Sequence, residues 1–290
     1  MKISGFTFVR NAVKYDYPVV ESIRSILPVV DEFVVSVGDS EDKTLELIES
    51  IGSPKIKIYH SVWDDSLREG GKVLAVETDK ALAHVSPRTD WCFYLQGDEI
   101  VHEKYLETIK AQAEKHVGNS SVEGLLFKYL HFYGSYDFVG DSRRWYNREI
   151  RIVRHDKKIS SYRDAQGFRK QGRKLDVKLI DAYIYHYGWV KHPQQQQHKR
   201  DNVGVYYSKD HQSEFKKEAE ELFDYGNDAD SLRRFEGSHP EVMHKRIAEK
   251  NWELKLDVNR KNMSLKDAML YKIEKWTGKR LFDYQNYRII

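Results

Sequence analysis

The chain has 290 residues, of which 40% are hydrophobic and 32% are charged, so it is long enough to bury a substantial core. Its formal net charge of +3 is small for this length, and overall charge therefore gives no reason to expect a nucleic-acid-binding protein. The single cysteine, Cys92, excludes an intramolecular disulfide and a zinc site built from cysteines, and it fits a reducing compartment.

No targeting or membrane-spanning segment is expected. The first residues lack the apolar run and small-residue cleavage site of a signal peptide. No stretch approaches the ~18 apolar residues that are needed to cross a bilayer. We therefore expect a cytoplasmic protein with no transmembrane segment, for which peripheral contact with a membrane stays open.

The first sixty residues alternate between strand and helix patterns. Strands are predicted at residues 3–9, 32–37 and 55–60, and an apolar helical stripe follows each of the first two. Strand, helix, strand, helix, strand in so short a segment predicts right-handed crossovers and a parallel sheet. Ligands of such sheets bind at the carboxyl ends of the strands.

A polar loop with two glycines follows the third strand. Arg68 and Lys72 flank Gly70 and Gly71, and a helix is predicted to begin at Val73. The two cations could contact a diphosphate, or the loop could simply be solvated.

The apolar run at residues 91–95 predicts a strand that is buried on both faces. It leads directly into Gly97, Asp98 and Glu99. A carboxylate at the end of such a strand can hold Mg²⁺ or Mn²⁺ together with substrate phosphates. The same acids could instead cap the next helix, which is predicted at residues 103–116.

The second half of the chain has longer, aromatic-rich strands. The segment at residues 133–146 is aromatic and glycine-bearing, which is more typical of a loop over a site than of a core element. The remaining predicted elements are strands at residues 124–133, 149–154 and 175–187, and a polar loop at residues 164–169.

After residue 190 the pattern becomes helical and highly charged. Residues 191–197 read as a connector, and helices are predicted at residues 215–223, 240–252 and 265–276. We therefore expect two domains, residues 1–190 and a helical C-terminal extension at residues 191–290. The extension could pack on the first domain, mediate dimers or contact a membrane-bound partner.

Three segments, in the expected order over roughly the first 190 residues, resemble the family 2 glycosyltransferases and their relatives of the GT-A fold. Residues 6–11 are similar to the family's nucleotide-binding start. Residues 34–44 are similar to its Asp-Asp-Gly-Ser-Thr-Asp-Gly-Thr pattern and match it at Ser40, Asp42 and Thr44. Residues 95–99 resemble its metal-binding Asp-X-Asp.

The resemblance implies an α/β fold, a GT-A Rossmann-like three-layer sandwich around a mostly parallel sheet. It implies an enzyme that moves a sugar from a nucleoside-diphosphate-sugar donor to a glycan or other hydroxyl acceptor, metal-dependent and inverting, in cell-surface glycan synthesis. The residues assigned to the nucleotide are Phe8, Arg10, Asn11, Asp39, Ser40, Asp42, Arg68, Lys72 and Gln96.

Two positions depart from the family pattern. The first acid of the turn pattern falls on Val37 or Gly38, so that Asp39 or another group must bind the base and ribose. The first acid of Asp-X-Asp is Gln96, an amide that adds no charge. These departures could weaken metal affinity, alter donor choice or abolish activity.

The resemblance also suggests the groups that carry the chemistry. Asp98 would be the principal ligand of Mn²⁺ or Mg²⁺, and His186 resembles the family's C-terminal metal-binding histidine. Asp164 lies where the family's base would be, and Glu149 is the second candidate for this base. The residues assigned to stacking an acceptor sugar are Trp145, Tyr146 and Trp189.

Three other interpretations remain. A binding or interaction module on the same fold would hold a nucleotide-sugar without turnover. A nucleic-acid binder would use the arginines at residues 143–154, but these are interleaved with acids. A sugar-1-phosphate nucleotidyltransferase should carry a glycine-rich phosphate loop after the first strand, and residues 10–12 lack glycine.

Overall fold

Buried, nearly uniformly apolar strands build the N-terminal half of the protein. A computed structural model describes residues 1–64, 66–67, 69–203 and 222–290. In it the first four strands are all parallel, in the order β4-β1-β2-β3. Because every residue of β2 is buried, helices must cover both faces of this sheet. The strands are β1 (Ile3–Val9), β2 (Glu32–Gly38), β3 (Ile56–Ser61) and β4 (Trp91–Tyr94), and the crossover helices are α1 (Val19–Ile26), α2 (Thr44–Glu49) and α3 (Lys72–Ala83).

The second half of the chain extends this sheet mainly with antiparallel strands. On the far side of β4 the order continues β8-β6-β7-β13, and a long strand, β12, pairs with β6, β5 and β14. A separate three-stranded sheet has the order β11-β10-β9. The strands are β5 (Glu99–Val101), β6 (Gly124–Tyr133), β7 (Ser135–Gly140), β8 (Arg148–Arg154), β9 (Ile159–Tyr162), β10 (Gly167–Lys170), β11 (Arg173–Lys174), β12 (Asp176–Trp189), β13 (Leu232–Arg234) and β14 (Arg288–Ile289).

The remaining helices are α4 (Leu106–Val117), α5 (Pro193–Val203), α6 (Tyr225–Asp228), α7 (His244–Ala248) and α8 (Leu265–Thr277). One apolar cluster joins the sheet to α1, α2 and α4, and a second joins its other face to α3 and the small sheet. The predicted α/β class, a three-layer sandwich, is confirmed. None of the described helices has both the length and the apolar character needed to cross a membrane.

Several local predictions differ from the structure. Asp98 and Glu99 do not open a helix, because Glu99 begins strand β5, which pairs with β12. The segment at residues 133–146 contains β7, so it is not simply a loop. Of the helix predicted at residues 240–252, only a 3-10 turn, Glu241–Met243, and the short α7 form.

The C-terminal residues are joined to the main sheet. β13 pairs with β7, and β14 pairs with β12. The predicted helix at residues 265–276 is present as α8, and Ser264 accepts a hydrogen bond from the backbone N–H of Asp267 at its start. The helix predicted at residues 215–223 falls mostly outside the described residues. The division of the chain at residue 190 stays a prediction.

A buried ion pair connects the two halves of the sheet. β8 runs antiparallel to β4, so residues before Ile152 lie beside the segment that follows Tyr94. There the Arg151 guanidinium donates from Nη2 to Glu99 Oε1 at 2.6 Å and from Nε to Oε2 at 2.7 Å. Both side chains are completely buried.

The remaining polar atoms of this pair are also used. The Tyr129 hydroxyl donates to Glu99 Oε1 at 2.8 Å, and the backbone N–H of Gln96 donates to Oε2 at 3.1 Å. Arg151 Nη1 donates to the carbonyl of Gln166 at 2.8 Å. The pair therefore fixes the segment around Asp98 to β8 and to the turn before β10.

We predict that Arg151→Leu destabilises the fold by about 3–5 kcal/mol, because it leaves the Glu99 carboxylate buried without its partner. Urea unfolding followed by circular dichroism measures this loss. The double variant Glu99→Gln with Arg151→Leu should recover part of it.

Lys128→Ala is the matched control, since it breaks the exposed pair with Asp181 (2.7 Å, side chains 30% and 82% exposed). It should cost far less than Arg151→Leu, because an exposed ion pair is screened by water. An Arg151→Leu variant as stable as this control would contradict the assigned role.

Candidate functional site

The sheet has a change of strand order between β1 and β4. From β1 the chain proceeds through β2 to β3 on one side and returns to β4 on the other. The loops after two adjacent parallel strands therefore diverge, which leaves a crevice at their carboxyl ends. Asp98 follows β4 at this edge of the sheet, and the loops after β1 and β2 lie at the same edge.

The loops after β1 and β2 are hydrogen-bonded to each other. The backbone N–H of Asn11 donates to Ser40 Oγ at 3.1 Å, and Asn11 Oδ1 accepts from the N–H of Glu41 at 2.8 Å. Arg10 Nε donates to the carbonyl of Asp39 at 2.8 Å. Four residues assigned to the nucleotide thus lie together at this edge, and their contact with a nucleotide stays a prediction.

Asp42 holds the same two loops. Its Oδ2 accepts from the N–H of Lys14 at 2.7 Å, and its Oδ1 accepts from the N–H of Thr44 at 3.0 Å and from the Thr44 hydroxyl. Its carboxylate therefore closes the turn into α2. A nucleotide contact of Asp42 remains a prediction beside this structural role.

Trp63 explains why a glycine stands at position 38. A Cβ on Gly38 would lie 2.3 Å from Trp63 Nε1. The Trp63 ring packs against Phe8, with ring centroids 5.6 Å apart, and the Arg10 guanidinium lies 5.5 Å from its centroid. An aromatic surface thus occupies the place where the family pattern has an acid.

Asp98 and His186 lie on neighbouring strands, because Glu99, the residue after Asp98, pairs with His186 between β5 and β12. His186 Nε2 lies 3.6 Å from Asp98 Oδ1. A bulge in β12 just after His186 makes this approach possible, because a Cβ on Gly188 would lie 2.6 Å from Asp98 Oδ2. The structure therefore brings the two predicted metal ligands together.

A neighbouring histidine sets the tautomer of His186. His131 Nε2 lies 2.8 Å from the carbonyl of Tyr146, which can only accept, so Nε2 carries the proton. Burial lowers the pKa of His131 well below its usual value, so its Nδ1 is unprotonated and accepts from His186 Nδ1 at 3.1 Å. By this assignment neutral His186 points the lone pair of Nε2 towards Asp98.

Two lysines bring positive charge to Asp98. Lys199 Nζ, from α5, donates to Asp98 Oδ2 at 3.3 Å and to the carbonyl of Gly188 at 3.0 Å. Completely buried Lys191 donates to the carbonyl of Asp16 at 2.6 Å. Both ammonium groups lie over the ring of Tyr17, 4.8 and 5.0 Å from its centroid.

These charges shift the pKa values of the site. Burial alone would raise the pKa of Asp98, but positive charge, above all that of Lys199, outweighs it and lowers the pKa to about 2. Burial and repulsion by Lys199 lower the pKa of Lys191 to about 7. The ionised Asp98 carboxylate thus has Lys199 in direct contact, and an anion bound nearby would favour the protonated form of Lys191.

The donor atoms fit a divalent metal with two protein ligands. Asp98 Oδ1 and His186 Nε2 both present electron pairs, with no proton between them. Glu99 is not available, because Arg151 binds both of its oxygens. No cluster of three or more acidic, histidine or cysteine ligands occurs within the described ranges. Substrate phosphates and water would have to complete the coordination.

The residues assigned to the acceptor lie beside the histidines. The Trp145 ring packs against His131 at 5.2 Å and against Trp189 at 5.9 Å, and the Tyr146 ring packs against His131 at 4.5 Å. Trp145 is only 9% exposed, whereas Trp189 is partly exposed. They form one aromatic wall, and their contact with a sugar stays a prediction.

Asp164 lies in the turn between β9 and β10. Arg163 and Ala165 on either side of it have φ values of +57° and +63°, which L-residues rarely adopt. The turn is tied to the site, because the carbonyl of Gln166 accepts from Arg151, which holds Glu99. Asp164 itself is partly exposed.

Glu149 lies against the same turn. Its side chain is buried, and a Cβ on Gly167 would lie 2.9 Å from Glu149 Oε1. Burial raises the pKa of Glu149 to about 7, although Arg151 opposes this shift. The structure therefore places both candidate bases at one turn, and a carboxyl that titrates near neutrality is suited to proton transfer.

Two further assigned residues adjoin the crevice. The side chain of Gln96 is partly exposed, and the backbone carbonyl of Gln96 accepts from Ser22 Oγ at 3.0 Å. Lys72 is exposed at the first position of α3, just after Gly70 and Gly71 with φ values of +59° and +71°. Arg68 lies outside the described residues.

The sequence interpretation missed Lys199, Lys191, His131 and Trp63. Trp63 and Lys191 each follow a strand at its carboxyl end, which is a signal that could have been used. Lys199 and His131 lie mid-helix and mid-strand, and no local pattern distinguishes them.

We predict that Glu149 makes the protein less stable as the pH rises. Because its folded-state pKa, about 7, lies above its unfolded value, the folded state binds the proton more tightly, and stability falls between about pH 4.5 and 7. This loss is about 3 kcal/mol at most. Glu149→Gln should remove it, which urea titrations at pH 5 and pH 8 measure.

Glu123→Gln is the control, because salt bridges outweigh burial and lower the pKa of Glu123 to about 2, outside this window. It should leave the difference between pH 5 and pH 8 unchanged. If the unfolding free energy of Glu149→Gln still differed between pH 5 and pH 8 as much as in the unmodified protein, the Glu149 carboxyl would not be the source of the pH dependence.

No family model and no curated protein matches this sequence. Among solved structures the chain is similar to S. aureus TarS 1-349, with 17% identity over 71% of this chain and 65% of that chain, at a TM-score of 0.38. A second structure of TarS 1-349, in complex with UDP-GlcNAc, matches with 16% identity over 71% of this chain and 66% of that chain, at 0.39.

A third similar structure is M. tuberculosis glucosyl-3-phosphoglycerate synthase in complex with Mg²⁺ and UDP, with 19% identity over 45% of this chain and 43% of that chain, at a TM-score of 0.31. The chain thus spans less than two thirds of each matched structure.

Proposed function

We propose that this protein is a glycosyltransferase that moves a sugar from a nucleoside-diphosphate-sugar donor to a hydroxyl acceptor, with inversion at the anomeric carbon. The observation that carries the proposal is the charge arrangement at the end of β4. There Asp98 Oδ1 faces the lone pair of His186, and Lys199 binds Oδ2.

The diphosphate of the donor fits this arrangement. Lys199 and Lys191 supply positive charge on the side of Asp98 that faces α5. Such preformed charge stabilises the negative charge that develops on a departing diphosphate, and it does so most effectively where water is excluded. Asp98 is only 8% exposed, which meets that condition.

Asp98 and His186 would hold a divalent cation. When bound, Mn²⁺ or Mg²⁺ would neutralise charge on the phosphate oxygens. His131 supports this role by fixing His186 in the tautomer that leaves Nε2 unprotonated.

The nucleoside would lie along the ends of β1 and β2. The Phe8 and Trp63 rings offer a stacking surface, and the backbone of the joined loops at Asn11 and Ser40 is close by. Asp39 is exposed beside them and would hydrogen-bond to the ribose or base.

The acceptor hydroxyl would be activated from the turn between β9 and β10. In our scheme the hydroxyl oxygen attacks the anomeric carbon, the bond from that carbon to the diphosphate breaks, and the Asp164 carboxylate takes the proton. Glu149 is the reserve base. Trp189 and Tyr146 would position the acceptor sugar. A role in cell-surface glycan synthesis remains a further expectation.

We predict that one of UDP, GDP and CDP stabilises the protein in the presence of Mn²⁺. At about 100 times its Kd a ligand adds about 2.7 kcal/mol, which for a domain of this size raises the melting temperature by roughly 5 °C or more. Asp98→Asn should abolish the Mn²⁺-dependent part, as measured by differential scanning fluorimetry.

Asp181→Asn is the matched control, because its side chain is 82% exposed and pairs with Lys128 outside the crevice. This variant should respond to the diphosphate like the unmodified protein. A shift that persists in full in Asp98→Asn would refute the metal assignment.

We predict that Asp164→Asn lowers kcat by 10²–10⁴-fold, the usual contribution of a general base. Donor binding should not change, because Asp164 contacts the acceptor in this scheme. Release of the diphosphate from a sugar nucleotide in the presence of acceptor measures kcat, and calorimetry measures donor affinity.

Glu149→Gln tests the reserve base in the same assay. A loss confined to Glu149→Gln would transfer the role to that residue. A protein that binds the sugar nucleotide and never cleaves it would instead be the non-catalytic module, which is favoured by Gln96 at the position of the family's first acid.

A further inference from the structure

Helix α8 carries an apolar stripe on the side that faces away from the protein. Leu265, Met269 and Trp276 are spaced by four and seven residues, which places them on one face of a helix. They are 92%, 58% and 88% exposed. The stripe has no partner within the described part of the chain, although each side chain is large enough to be worth burying.

The inward face of α8 is already packed on the domain. Leu270 is 7% exposed, the Tyr271 hydroxyl donates to Asp141 Oδ2 at 2.7 Å, and Glu274 accepts from Arg143 at 3.0 Å. These contacts fix the orientation of the helix. The stripe is therefore exposed because the opposite face of α8 is packed on the protein, and not because the helix is loosely attached.

Charge on α8 is divided in the same way. Lys272 is exposed within the stripe and exposed Lys266 flanks it, whereas Lys275 on the other side lies 3.6 Å from Asp141. Both acids of the helix are used elsewhere, since Glu274 faces Arg143 and the Asp267 carboxylate bonds to the hydroxyl of Ser264. The outward face thus combines apolar side chains with lysines and has no acid.

We propose that α8 docks this protein on an anionic lipid surface. A helix lying in the interface buries an apolar stripe among the acyl chains, while lysines at its edges bind anionic headgroups. Tryptophan is favoured at that depth because its ring is apolar and its N–H is polar. The loop after α8 adds Phe282, which is 91% exposed.

The charges favour a lipid surface over a second copy of the chain. A twofold contact through the stripe would bring the lysines of two copies together with no acid between them, which costs free energy. An anionic membrane satisfies the apolar and the basic groups at once. This docking is independent of the proposed reaction.

Co-sedimentation with vesicles tests the proposal on the full chain. The protein should bind vesicles of equal parts phosphatidylcholine and phosphatidylglycerol, and bind phosphatidylcholine vesicles more weakly. The double variant Met269→Ser with Trp276→Ser should reduce the partition coefficient about tenfold or more. Lys266→Glu with Lys272→Glu should remove the preference for anionic vesicles.

Matched controls alter equivalent residues on other surfaces. Val62→Ser changes a side chain that is 72% exposed, and Lys110→Glu with Lys157→Glu reverses two exposed charges. Both controls should bind vesicles like the unmodified protein. All variants should keep its melting temperature, because every altered side chain is exposed.

Two outcomes would overturn the proposal. One is binding to neither vesicle, or binding that the stripe variant does not reduce. The other is that the protein does not bind vesicles but forms a dimer, which analytical ultracentrifugation detects and which the stripe variant loses. That result would assign the stripe to a second copy of the chain.

Discussion

The buried ion pair between Arg151 and Glu99 is the constraint on which the candidate site depends. Two completely buried charges are costly unless each has its partners, and here every strong donor and acceptor is used. The pair joins the end of β4 to β8 and, through Gln166, to the turn that carries Asp164. Asp98 directly precedes Glu99, whose carboxylate is held by two hydrogen bonds from Arg151, and its position is constrained accordingly.

The charges around Asp98 determine its ionisation state. The Asp98 carboxylate stays ionised although it is buried, because the ammonium groups of Lys199 and Lys191 lower its pKa. Lys199 and Lys191 make this part of the molecule favourable for an anion. Binding and fold stability are therefore connected, because the cations that would receive the ligand also compensate the buried acid.

The two surfaces of functional interest have different origins. The crevice arises from the change in strand order between β1 and β4, which any chain with this topology possesses. The stripe on α8 arises from the spacing of three apolar residues on one helix. The two surfaces therefore depend on different parts of the chain, and a change in one need not alter the other.

The sequence by itself determined the early strands and helices, the buried strand before Asp98 and the start of α8, because these follow from hydrophobic period and local caps. It also singled out Asp98, and the resemblance to the GT-A family added His186 as its candidate partner. Only the tertiary structure decided that Glu99 binds Arg151, that His131 orients His186 and that Lys199 reaches Asp98. Those contacts join residues more than 50 positions apart, and local sequence patterns carry no record of which distant side chain will complete a buried charge.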